Sequence, residues 1–142
     1  MESVPPIVMN PTERIVSGLF AGGFAAAVAT VALFDPDKSS IFPACPLLRF
    51  TGFACPGCGV TRGFHALFHG DFLGALDFNA LIPIYAVALG FLFVSLVFVA
   101  VRGRGLNLGK IPASLIYGMI IVAFLFAILR NLPFEPFRVL FP

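Results

Sequence analysis

The residues able to do chemistry are concentrated in one stretch, Cys45 to Asn79, CPLLRFTGFACPGCGVTRGFHALFHGDFLGALDFN. It holds all three cysteines (Cys45, Cys55, Cys58) and both histidines (His65, His69). Cys55 and Cys58 have the C-x2-C spacing of metal ligands, and Cys45 with His65 or His69 would bring the set to four, with zinc as the candidate metal. His65 and His69 lie one helical turn apart, which suits a shared ligand face. The same Cys-Pro-Gly-Cys turn resembles, in reversed order, the redox turn of thioredoxin-like proteins. Cys45 would then be the resolving thiol, exchanging with quinone or a partner disulfide, with Arg62 and a helix N-terminus lowering a thiolate pKa. A third reading is structural: the segment closes as a cap through a disulfide or hydrogen bonds. Three cysteines leave one thiol over if a pair bridges. The chain has no Ser-His-Asp set, no phosphate-binding glycine loop and no acid or base inside its apolar runs, so the balance leans away from an enzyme. Arg62, Arg130 and Asn131 would suit an anion or a lipid headgroup.

The elements that position these residues are apolar. Of 142 residues, 59% are hydrophobic and 11% charged, against roughly 25% charged in a soluble domain. A net charge of +2 without a basic stripe argues against nucleic acid. With 18 Phe and no Trp, an interfacial aromatic belt rests on Tyr85, Tyr117 and Phe. Three uncharged runs, over 15–34, 78–101 and 111–129, are long enough for a hydrocarbon core of about 30 Å, giving spans of about 15–34, 79–101 and 111–130. The first exceeds a signal-peptide core and reads as an uncleaved span. Its Gly18, Gly22 and Ala26, like Ser114 and Gly118 in the third, form small-residue rows that allow close helix approach. Asp35-Pro36 stops the first helix. The segment 42–78 folds back. In it, 38–53 reads as loop and Val60 to His69 as a short interfacial helix, with Val60, Phe64, Leu67 and Phe68 on one stripe, Arg62, His65 and His69 opposite, and Gly70 as C-cap. The tail FEPFRVLFP reads as amphipathic. The expectation is a single all-α membrane domain of three transmembrane helices plus a folded-back Cys-rich segment.

With three spans, one membrane face gathers Cys45, Cys55, Cys58, Thr61, Arg62, His65, Asp71, Asn79, Arg130 and Asn131. Charges near the hydrocarbon edge need partners, and Asp71 or Asp77 with Arg62 or Arg130 is the expected pairing. The short basic loop 102–110 places the N-terminus in the cytoplasm and the cysteine segment and C-terminus outside.

Cys45-Pro46, the run Cys55 to Arg62 (CPGCGVTR), Gly70-Asp71, Asn79-Ala80-Leu81 and Arg130-Asn131 resemble the pattern of domain of unknown function 2752, a family of small bacterial membrane proteins without an established activity. The resemblance covers about residues 42–140; Ala80 departs from it where proline is common. It implies a multi-pass protein of the bacterial inner membrane, supplies no reaction, and joins Arg130-Asn131 to the cysteine motif as one unit. Residues and resemblance together favour a small accessory or structural subunit whose motif face docks other membrane-protein subunits. Metal binding through Cys55 and Cys58 is the first alternative and thiol-disulfide redox the second.

Overall fold

The computed structural model describes residues 9–104 and 112–134. Six α-helices are present among them: α1 Pro11–Leu33, α2 Pro46–Thr51, α3 Val60–Phe68, α4 Phe72–Phe78, α5 Ile82–Arg102 and α6 Ala113–Leu129. The described residues form two compact units, 9–29 with 85–104, and 30–84 with 112–134.

The first unit is built on the long parts of α1 and α5. Pro11 opens α1 where a missing N–H costs no hydrogen bond, and Glu13 Oε2 accepts from the Asn10 amide (2.7 Å). Arg14 donates through Nη2 to the carbonyl oxygens of Val101 (3.1 Å) and Ala100 (3.4 Å), satisfying the C-terminal turn of α5. Phe24 stacks on Phe93 with centroids 5.4 Å apart. In the small-residue row, Gly18 faces the Ala100 methyl, whereas Gly22 looks onto open space.

α1 and α5 run 23 and 21 residues at mean hydropathy 1.9 and 2.7, and only 6% and 0% of their most apolar windows are buried. A core helix of a water-soluble protein buries its apolar stripe against its own chain. Here Leu19, Phe20 and Val87 stand exposed, a surface that fits lipid. Two described helices are therefore long and apolar enough to cross a membrane. The third run, expected to span over 111–130, yields a helix of 17 residues, about 26 Å at 1.5 Å per residue.

The second unit carries the motif segment. α3 and α4 form a helical hairpin whose turn is written in the sequence. Gly70 takes a left-handed φ of 83°, its N–H bonds the Leu67 carbonyl (3.1 Å), and the Asp71 N–H bonds the Ala66 carbonyl (3.0 Å), a Schellman closure of α3. Asp71 then caps α4, its Oδ1 accepting from the Gly74 amide (2.8 Å). α2 lies where the sequence reads as loop. Pro46 starts it and Gly52 ends it, but six residues are too few to show a helical period. The expected amphipathic tail lies outside the described residues, apart from Phe134.

Candidate functional site

The three thiols meet. Cys45 Sγ lies 3.5 Å from Cys55 Sγ, and Cys55 Sγ lies 3.5 Å from Cys58 Sγ. All three sulfurs sit within 4.8 Å of one another, with no disulfide between them. Four sulfurs around zinc at about 2.3 Å would be separated by about 3.8 Å, so the triad has the dimensions of three corners of such a site. Cys45 arrives from the start of α2. Cys55 and Cys58 come from the Pro56-Gly57 turn, in which the Cys58 amide bonds the Cys55 carbonyl (3.0 Å) and the Val60 amide the Gly57 carbonyl (3.1 Å).

Three polar side chains hold this turn from outside it. Arg130, at the end of α6 and fully buried, donates through Nη1 to the carbonyl oxygens of Cys55 (2.9 Å) and Cys58 (3.1 Å). Its guanidinium also lies over the Phe126 ring. Asn79, 1% exposed, donates through Nδ2 to the carbonyls of Pro56 (2.7 Å) and Cys58 (3.0 Å), while its Oδ1 accepts from the Leu81 amide (2.9 Å). Asn131 pairs both ways with one peptide unit: its Oδ1 accepts from the Ala54 amide (2.8 Å) and its Nδ2 donates to the Ala54 carbonyl (2.8 Å). Carbonyl groups of the cysteine turn thus have fixed donors, which hold its backbone, and with it the sulfurs, in place.

The thiols differ in acidity. Cys45 is lowered to about 7, first by the Leu48 backbone amide in the opening turn of α2 and next by the Cys58 thiol. Cys58 is pushed up to about 12, first by burial and then by its sulfur neighbours. A single negative charge on the metal-free triad therefore resides on Cys45 rather than Cys58.

A cavity of about 530 Å³ opens in front of the sulfurs. All three cysteines line it, together with Asp37, Arg49, Thr61 and Arg62. Arg62 Nε pairs with Asp37 Oδ1 at 3.3 Å and both remain substantially exposed. This corrects the expected partner: Arg62 takes Asp37 from the turn after α1, because Asp71 is committed to the cap of α4. His65 lies beside the end of α1. Its Nδ1 lies 2.7 Å from the Val31 carbonyl oxygen, and it stands apart from the clustered ligand atoms. The ligand atoms that do cluster are the sulfurs of Cys45, Cys55 and Cys58. His69 Nδ1 bonds the His65 carbonyl at 2.8 Å. Of the candidate residues, Cys45, Cys55, Cys58, Asn79 and Arg130 join in one network around the turn. Asn131 holds the residue just before it, Thr61 and Arg62 face the cavity, and Asp71 lies away in the α3–α4 turn.

Sequence reasoning missed Asp37, Arg49 and Ala54. Ala54 carries no signal at all, since only its peptide group is used. Arg49 lies in the unrecognised α2, and the Cys45-Pro46 start with Gly52 behind it was the available clue.

The described residues are helical, with two helices long and apolar enough to cross a membrane and three thiols so gathered that they could hold a metal ion; together these suggest a membrane-associated protein. Residues 45–93 match the family described as protein of unknown function (DUF2752), in agreement with the motif resemblance; the match starts at the first clustered cysteine and ends within α5. Neither a curated protein nor a solved structure matches the chain.

Proposed function

We propose that this chain is a small multi-pass protein of the bacterial inner membrane that binds one soft metal ion, zinc being the best fit, through Cys45, Cys55 and Cys58. It serves there as an accessory subunit beside larger membrane proteins. The observation that carries the reading is the convergence of three Sγ atoms within 4.8 Å. Thiol-thiol hydrogen bonds are weak and would not by themselves justify gathering every cysteine of the chain. Thiolates select zinc, Cu(I) and related soft ions, and Arg130 and Asn79 hold the backbone of the ligand turn. With α6 crossing as a third, short span under modest local thinning, the cysteine segment faces the periplasm and the N-terminus the cytoplasm.

The test is intact mass and elemental analysis of the protein purified in mild detergent without reductant, before and after alkylation. One metal ion per chain with protected thiols is expected, falling to background in Cys55→Ser. A metal-free chain lighter by two hydrogens would instead establish a disulfide and overturn the reading.

A further inference from the structure

We propose that the cavity before the three thiols binds a small anionic thiol, whose sulfur completes the metal's coordination while its carboxylate is held by Arg49 and Arg62. This rests on the metal reading above and names what that site receives. Zinc-like ions take four donors in such sites, and the triad supplies three. The sequence has no further cysteine, and neither imidazole is among the ligand atoms gathered within 4.8 Å, which are the three sulfurs alone. All three cysteines line one cavity, whose 530 Å³ lies in the range of small-molecule sites, about 300–1,000 Å³. A centre already made of three thiolates is soft and prefers a soft fourth donor, hence sulfur over oxygen.

The charge of the lining selects the rest of the ligand. Beyond the three cysteines its charged residues are Arg49, Arg62 and Asp37; Arg62 shares its charge with Asp37 at 3.3 Å, and Arg49 makes no ion pair among the described residues. A guanidinium presents a planar fork to a carboxylate, so a thiol carrying a carboxylate satisfies both ends of the cavity.

The experiment uses the full-length protein in detergent, loaded with Co(II) as a spectroscopic stand-in, and titrated separately with thioglycolate, 2-mercaptoethanol and inorganic phosphate. Thioglycolate is expected to raise the sulfur-to-cobalt absorption saturably, and Arg49→Gln and Arg62→Gln each to weaken it about three- to fivefold, as suits exposed charges. Both variants should leave 2-mercaptoethanol binding unchanged. The proposal is overturned if no thiol alters the spectrum, if thiols merely strip the cobalt, if 2-mercaptoethanol binds as tightly as thioglycolate, or if phosphate gives the same response. Absence of cobalt-thiolate absorption before any thiol is added is a separate failure, one of the metal reading itself.

Discussion

Asn131 does with a side chain what a neighbouring strand would do with a peptide: it answers both the N–H and the C=O of Ala54. Ala54 is almost fully buried, so Asn131→Ala strands a donor and an acceptor away from water. A loss of about 1–3 kcal/mol is expected, the cost of an unsatisfied buried group, read as a lower midpoint of thermal unfolding in detergent. Asn131→Asp, which keeps the acceptor but removes both donors facing Ala54 and Ala127, should be at least as damaging. Among the thiols, the acidity order sets a second expectation. In metal-stripped protein, iodoacetamide should modify Cys45 first, with a rate rising through a midpoint near pH 7, because a lowered pKa populates the thiolate at lower pH. Cys58 should react last, and peptide mass mapping over a pH series reads the order. A polar Arg-Asn pair ending an apolar run is visible in sequence. Its partners are backbone groups about 75 residues away, and a backbone partner has no residue type to notice.

At the scale of elements, the site depends on how α3 begins. Gly59 holds φ at 82°, and a Cβ there would run into the Phe78 carbonyl. Gly59→Ala combines left-handed strain, about 1–2 kcal/mol, with displacement of the end of α4, so destabilisation and loss of bound metal should appear together. Gly57→Ala is the matched control. Its Cβ would meet only Cys55 Sγ at 3.7 Å, an ordinary contact, and metal content should persist. α3 was readable because nine residues carry an apolar stripe and a terminal glycine. α2 and α4, at six and seven residues, are too short for periodicity, and cap chemistry is their sole signature.

For the molecule as a whole, long apolar runs with few charges made the helical class and the first and second long helices legible, to within a few residues at their ends. The third was placed as closely, but a run of uncharged residues does not reveal that the helix has only 17 residues once Pro112 sets its start. Sidedness is open to a direct check. Cysteines added singly at Ser40 and at Arg104 should label differently with a membrane-impermeant maleimide, each scored as excess over the parent. The cysteine at position 40 is expected to react in intact spheroplasts and that at 104 only after permeabilisation; the opposite pattern would invert the proposed topology. The clamp on the cysteine turn also has a meaning in time. Arg130 and Asn131 leave the ribosome some seventy-five residues after Cys55 and Ala54, so the ligands emerge long before the groups that hold them. A nascent chain therefore passes through an interval with its thiols unsecured, and the clamp on the turn closes only when the last described helix has been made.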